Sequence, residues 1–342
     1  MSIVISVLMF SFIILFHELG HFLLAKFNGV TVLEFSLGLG PRLLHKEFRG
    51  TKYSLKLLPF GGSCMMLGED EGDSGEGSFG SKSVLARMSI IAAGPIFNFI
   101  LAFFCSVFII AGMGYDPAEI QGIVDGYPAQ EAGLQAGDTI LKLNGKRIHI
   151  SREVTQYLSE HRGEPVTVTY RRDGETYTAL LEPKVNENGR YIIGIDIHAV
   201  YRKGGIINTL RYSAYEVKYW IETTLHSIRM LTNGEAGIQD MSGPVGVVEV
   251  IGETYTESVK ISWFAVWINM LNMAVLLSAN LGVMNLLPIP ALDGGRLVFL
   301  IIELIRGKRV KPEYEGWIHL AGLAALLVLM VFVMFQDVMR LF

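Results

Sequence analysis

Four stretches of this chain are apolar for long enough to cross a bilayer, and the segments between them carry different periodicities. Residues 3–25 (IVISVLMFSFIILFHELGHFLLA), about 87–114, about 263–287 and about 316–339 each reach the length of roughly 20 residues that a spanning helix needs. Between the first two, FSLGLGPRLL and TKYSLKLLPFGGSCMML contain short alternating runs bounded by Gly and Pro. They predict strands in a hairpin or small sheet. GEDEGDSGEGSFGS (68–81) is acidic and rich in Gly and Ser, which reads as a flexible solvated linker, with a regulatory tail as the alternative. Residues 119–200 have the short strands and frequent turns of a water-soluble insert. Within them EPVTVTYRRDGETYTALLEP alternates around Asp173-Gly174, a hairpin signal. Ile207, Leu210, Ala214, Val217, Ile221, Leu225 and Ile228 then recur at helical spacing, giving an amphipathic helix that lies on a membrane surface or packs on the insert.

The expected organisation is therefore a first spanning helix (1–27), a β-rich membrane-associated loop (28–67), an acidic linker (68–86) and a second spanning helix (87–114). An inserted α/β domain (115–203), an amphipathic helix with linker (204–262), a third span (263–305) and a fourth (306–342) follow. Composition agrees: 51% of the 342 residues are hydrophobic and 18% charged, which is too apolar for an ordinary soluble enzyme and fits a partner that is lipid. A formal net charge of −4 gives no case for nucleic-acid binding. Cys64 and Cys105, one in a loop and one in an apolar helix, are expected to be free thiols. The N-terminal stretch has no basic start and no small-residue cleavage site, so it reads as a retained span.

One pentapeptide disturbs the first span. His17-Glu18-Leu19-Gly20-His21 places three ionisable groups in an apolar helix, at about 2.5 kcal/mol or more for each one charged at mid-membrane. His at i and i+4 share a helix face, so both imidazoles can reach one zinc ion (Zn2+), and Glu18 stands beside the first as a base for an attacking water. A bound metal offsets the cost of burying them. The alternative, two histidines satisfied by hydrogen bonds, is the weaker account inside a span.

Charge placement sets the expected orientation. Lys26, Arg42, Lys46, Arg49, Lys52 and Lys56 follow the first span, and Arg306, Lys308, Arg309 and Lys311 follow the third. By the positive-inside rule both loops are cytoplasmic and the 115–203 insert is extracytoplasmic. At 1.5 Å rise per residue His17 then lies roughly 20 Å into a core about 30 Å thick, towards the cytoplasm. The third span runs parallel to the first and ends in Asn285-Leu-Leu-Pro-Ile-Pro-Ala-Leu-Asp293-Gly-Gly, which delivers Asp293 to the same depth as a third ligand. Asp293 also suits the cap of a helix beginning near Gly294.

HELGH in the first span, NLLPIPALDGG after the third and the insert between the second and third resemble the site-2 protease family of intramembrane zinc metalloproteases, most of all its bacterial regulator-of-sigma-E branch with a single PDZ domain. Pro128-Ala129, Ala132-Gly133-Leu134, Gly137-Asp138 and Asn144-Gly145 are similar to a bacterial PDZ domain, with Ile123-Val124 in its peptide-binding strand. The resemblance implies an α-helical membrane protein of about four transmembrane helices, with a cytoplasmic-side β-hairpin and an extracytoplasmic PDZ insert in a bacterial plasma membrane. It implies His17, His21 and Asp293 as zinc ligands and Glu18 as the catalytic base. It assigns substrate contacts to Asn285 and to the Pro59-Phe60-Gly61-Gly62 hairpin, whose edge would clamp substrate as a strand; Ser63, Cys64, Met65 and Met66 depart from the usual continuation of that motif. Ser242-Gly243-Pro244-Val245-Gly246 and Gly94-Pro95-Ile96-Phe97-Asn98 are further family elements, the second with a packing role as its alternative. The implied substrates are single-span membrane proteins such as anti-sigma factors or remnant signal peptides, and the PDZ domain would bind a peptide or a C-terminus or exclude bulky chains. Two other classes remain in view: a non-proteolytic PDZ adaptor with a vestigial zinc site, against which the intact ligand set speaks, and a metal transporter, which needs more ionisable groups in its spans.

Overall fold

A computed structural model describes residues 2–69 and 75–340, without the side chains of Ser2, Pro59, Phe60, Ile238 and Pro312. Two compact units result, one formed by Met1–Cys105 with Trp220–Phe342 and the other by Ser106–Tyr219. The first unit begins with α1 (Ser2–Phe27), a continuous apolar helix. Gly29, at a positive φ of 68°, releases the chain from the helix into β1 (Val32–Phe48), which turns back as β2 (Thr51–Met66). This is more than a hairpin. Glu34–Leu37 pairs on one side with Gly62–Met65 and on the other with Lys52–Leu55, and Lys52–Leu55 also pairs with Leu44–Glu47. Both strands must therefore fold over on themselves, and glycines permit it: Gly38, Gly40 and Gly61 all have φ near +87°. At Gly38 a Cβ would lie 2.4 Å from the Leu58 carbonyl oxygen.

Residues 70–74 of the expected acidic linker lie outside the described residues. Its remainder is anchored: Thr31 N–H donates to Gly77 O, Phe79 N–H donates to Leu67 O, and the Phe79 ring is buried among Ala25, Val30, Val32, Met66, Ile90, Ile91 and Leu300. An aromatic residue inside a Gly/Ser-rich run is the physical reason, since burying it contributes on the order of 2 kcal/mol. The second long apolar helix, α2 (Val84–Met113), follows, with Pro95 inside it.

The second unit is small and has its own core, built on Ile120, Ile140, Leu143, Val154, Val166, Val168, Leu181 and Ile193. Its chain order is β3 (Gly122–Ile123), α3 (Pro128–Glu131), β4 (Thr139–Leu143), β5 (Lys146–Arg147), α4 (Ser151–Glu160), β6 (Val166–Arg172), β7 (Glu175–Leu181), β8 (Lys184–Val185), β9 (Tyr191–Ile192) and β10 (Ile195–Asp196). The main sheet runs β5-β4-β6-β7, and Asp173-Gly174 makes the expected turn between β6 and β7. Gly122–Ile123 pairs with β10 and the Val124 N–H donates to Gly194 O, so one edge of the strand expected at Ile123-Val124 is paired within the unit. The groove beside α4 is walled by Gly189–Ile197, with Thr155, Leu158, Ser159 and Arg162 opposite. Alternation in EIQGIV reveals a strand but not which neighbour it takes.

Helix α5 (Ile206–Asn233) carries the predicted stripe, and its first half is fixed within the second unit. Tyr212 packs on Tyr115, Tyr215 stacks on His149, and Arg152 donates to Glu216. Its second half belongs to the first unit, where Thr224 donates to Asn280. A helix not anticipated from the sequence follows, α6 (Pro244–Ile261), with Gly243 as its N-cap. The third apolar stretch becomes α7 (Trp263–Leu286), an irregular segment 287–292, and α8 (Asp293–Arg306); α9 (Pro312–Arg340) closes the chain. Among the described residues four helices are long and apolar enough to cross a membrane: Ile3–Phe27, Val84–Met113, Trp263–Leu286 and Glu313–Arg340. Val328, Val331 and Phe335 on α9 are exposed, as side chains facing lipid would be.

Candidate metal centre

His17 and His21 occupy adjacent turns of α1 and are both buried, while Asp293 opens α8. Their ligating atoms converge. His17 Nε2 lies 3.1 Å and His21 Nε2 3.4 Å from Asp293 Oδ2, and the two Nε2 atoms are 3.2 Å apart. Asp293 Oδ2 is buried with no hydrogen-bond partner. A carboxylate oxygen buried against two imidazole nitrogens is well served by a cation held between them. The spacing fits one: tetrahedral ligands about 2.0–2.1 Å from zinc are about 3.3–3.4 Å apart. The donor set, two imidazoles and a carboxylate, is a zinc set as well, leaving a fourth position for water or substrate.

Three elements hold these groups. Helix α2 approaches α1 so closely that a Cβ on Gly94 would stand 2.3 Å from His21 Nε2 and 2.7 Å from His17 Cε1; one on Gly20 would stand 2.4 Å from Ala93 O. The same face of α2 offers Ile90 O to His21 Nδ1 at 2.9 Å and the Asn98 side chain to His17 Nδ1 at 3.1 Å. The irregular segment before Asp293 is equally constrained. A Cβ on Gly294 would lie 2.1 Å from Leu287 O and one on Gly295 2.4 Å from Ile289 O, so Asp-Gly-Gly is what lets α8 start there. Ala291 sits at a φ of +76°, and its N–H donates to His319 Nδ1 on α9 at 2.8 Å. Asp293 takes the first helical position, with no side-chain cap, which leaves its carboxylate for the metal.

Beside these ligands runs a cavity lined by Glu18, Gly62, Ser63, Cys64, Met65, Met66, Glu69, Ile91 and Arg296. Gly62–Met66 pairs on one side with β1, among the described residues no strand occupies its other side, and the segment shares the cavity lining with Glu18. A Cβ on Gly62 would be 3.1 Å from Glu18 Cγ. Burial, with the Glu18 and Glu69 carboxylates nearby, pushes the Cys64 thiol well above its ordinary range, and both cysteines are free. Arg296 pairs with Glu69 at the cavity rim. Gly62 of the expected clamp lines this cavity, whereas Gly61 lies against the Leu39 side chain; the side chains of Pro59 and Phe60 lie outside the described residues. Asn285 is half-buried in the last turn of α7 and does not line this cavity. His319 and Asn98 support the site without a sequence signal that said what each would touch.

Apolar helices that house a two-histidine, one-carboxylate centre with a glutamate at its side define a zinc hydrolase of the membrane. The model of peptidase family M50 matches residues 5–329, and the chain belongs to that family, that of the site-2 metalloproteases. A candidate zinc metalloprotease of Clostridium acetobutylicum is 38% identical over 340 residues, covering 98% of this chain and 97% of the relative. The regulator of sigma-W protease RasP of Bacillus subtilis is 29% identical over 426 residues, covering 100% and 99%. The PDZ domain of an SdrC-like protein of Listeria monocytogenes is 27% identical, covers 24% of this chain and 88% of that one, and superposes with a TM-score of 0.22. The chain is a zinc metalloprotease and a membrane protein.

Proposed function

We propose that the protein cuts peptide bonds within or near the transmembrane segment of single-span substrates, with His17, His21 and Asp293 as zinc ligands and Glu18 as general base. The observation that carries this reading is the convergence of the three ligand atoms in a cavity that Glu18 and Gly62–Met66 also line. Bound zinc supplies Lewis acidity, polarising the scissile carbonyl and acidifying water. Glu18 takes the proton as the water oxygen adds to the carbonyl carbon, then delivers it to the amine nitrogen as the C–N bond breaks. A substrate helix hides its amides in i→i−4 bonds, and lipid cannot replace them. An unwound segment added to the edge at Gly62–Met66 regains backbone partners next to the base, a strand-addition role for the hairpin.

The loop charges support a cytoplasmic-side centre and an extracytoplasmic second unit. That unit acts as a PDZ module. The groove between α4 and Gly189–Ile197 takes an extended peptide, with Leu158 and the isoleucines as apolar wall and Arg162 and Arg190 available to a terminal carboxylate. By analogy with the sigma-W regulator named above, membrane-anchored anti-sigma factors are the substrate class to test first. Purified Glu18→Gln should keep one zinc per chain and lose cleavage of a reconstituted single-span substrate by at least about 10³-fold, the upper part of the range for general-base loss. Cleavage by this variant at the wild-type rate would refute the assignment.

A further inference from the structure

Histidine can ligate through Nε2 as a neutral ring only if its proton sits on Nδ1, and that proton needs an acceptor. For His21 the backbone settles the matter, since Ile90 O can only accept. For His17 it is left to a side chain. Asn98, fully buried on α2 and two turns beyond Ile90, is the group that faces His17 Nδ1. With its amide nitrogen towards the ring, at 3.1 Å, Asn98 donates to Nδ1, which puts the His17 proton on Nε2, aimed at Asp293. In that arrangement Asn98 Oδ1 is buried with no partner. The two ends of an amide fill the same space, so a half-turn of the amide presents Oδ1 to the ring instead. The proton then moves to Nδ1 and Nε2 is freed for the metal. Ser278 holds α2 here through the Asn98 backbone carbonyl at 2.8 Å, which leaves the side chain available for this role.

We infer that Asn98 is the positioning residue of the metal centre: its amide oxygen accepts the His17 Nδ1 proton and thereby fixes the tautomer that binds zinc. The inference rests on the zinc reading above. Of the side chains that touch the proposed ligands, this is one whose two orientations select different protonation patterns on the ring. A merely space-filling residue would have no such preference.

The test is zinc affinity of the full chain in detergent, by competition with a calibrated chelator, for wild type, Asn98→Leu, Asn98→Asp and Asp293→Ala. Asn98→Leu, close in size and unable to accept, should weaken zinc about 10–100-fold, the range for lost outer-sphere partners. Asn98→Asp, which accepts at either oxygen, should stay within a few-fold of wild type. Selective ¹⁵N-histidine spectra of the zinc-loaded protein should show His17 protonated at Nδ1 in wild type and in Asn98→Asp. Unchanged affinity in Asn98→Leu, or equal losses in the Leu and Asp variants, would overturn the inference. If Asn98→Leu fails to fold, the Asp variant and the spectra decide alone, and a His17 proton on Nε2 overturns it. Failure of the zinc reading looks different: wild type would bind no stoichiometric zinc, or Asp293→Ala would bind it as tightly as wild type.

Discussion

At the scale of single residues, a hydrogen atom in place of a side chain matters as much as the ligands do. Gly94 is the point at which α2 passes the two imidazoles, and a methyl group there would overlap His21 Nε2 at 2.3 Å. Gly94→Ala should therefore lower zinc affinity at least 10-fold and abolish proteolysis, because the ring must rotate or α2 must retreat. Gly316→Ala on α9, which meets open space, should leave zinc content unchanged; equal effects from the two would show that the close approach is unimportant. The histidines, Glu18 and Asp293 are legible in the sequence because their signal is local: i, i+4 spacing in one motif and an aspartate after a proline-rich break in the other. What Gly94, Asn98 and His319 do depends on which helices touch, and no local pattern encodes that. Asp337 is a further case. A lone aspartate in an apolar helix gave no signal, yet its carboxylate accepts from Gly243 N–H at 3.1 Å and Gly246 N–H at 2.9 Å, binding α9 to the start of α6.

At the scale of elements, the folded-over β1–β2 sheet brings Gly62–Met66 to the cavity of the proposed metal centre. Alternation and glycines predicted its strands, but a period of two is the same for a hairpin and for a sheet that doubles back. The second pairing of Glu34–Leu37 is therefore visible only in three dimensions. The bend is tied by a buried charge. Glu34 accepts from Arg42 Nε at 2.7 Å and Nη2 at 3.0 Å, and Lys56 Nζ lies 3.6 Å away. The Arg42 guanidinium, against the cost of burial and with help from Ser54 and Lys56, lowers the Glu34 carboxyl from 4.5 to about 2. The folded value lies below the unfolded one, so the tie is fully present above about pH 4.5 and is lost as pH falls towards 2. Glu34→Gln should lower thermal stability at pH 7, and the difference between variant and wild type should shrink on acidification through pH 4.5 to 2. A difference that grew on acidification would contradict this. Helix α6 illustrates the opposite failure of local reading: PVGVVEVIGETYTESVKI is rich in β-branched residues and reads as linker. It is helical because Pro244 starts it, Asp337 holds its first turn, and α1 and α7 pack on it.

At the scale of the molecule, chemistry and recognition reside in separate compact units. The second unit has its own hydrophobic core and its groove is lined entirely from Thr155–Ile197, while every proposed ligand and Glu18 belong to the first. Each unit satisfies its own packing, so loss of function in one need not unfold the other. Stripping zinc from the full chain in detergent should abolish proteolysis and lower the first unfolding transition, since a ligand that binds only the folded state stabilises it. It should leave the affinity of the groove for a peptide with an apolar C-terminal residue unchanged. Leu158→Glu places a carboxylate in the apolar wall, so it should weaken that peptide at least 10-fold without changing zinc content. Fluorescence anisotropy and metal analysis on the same samples check both arms. If zinc removal shifted peptide affinity by the factor that Leu158→Glu does, the two sites would share one free energy, because such coupling is reciprocal. The second unit would then be part of the catalytic cycle and not an independent filter placed before it.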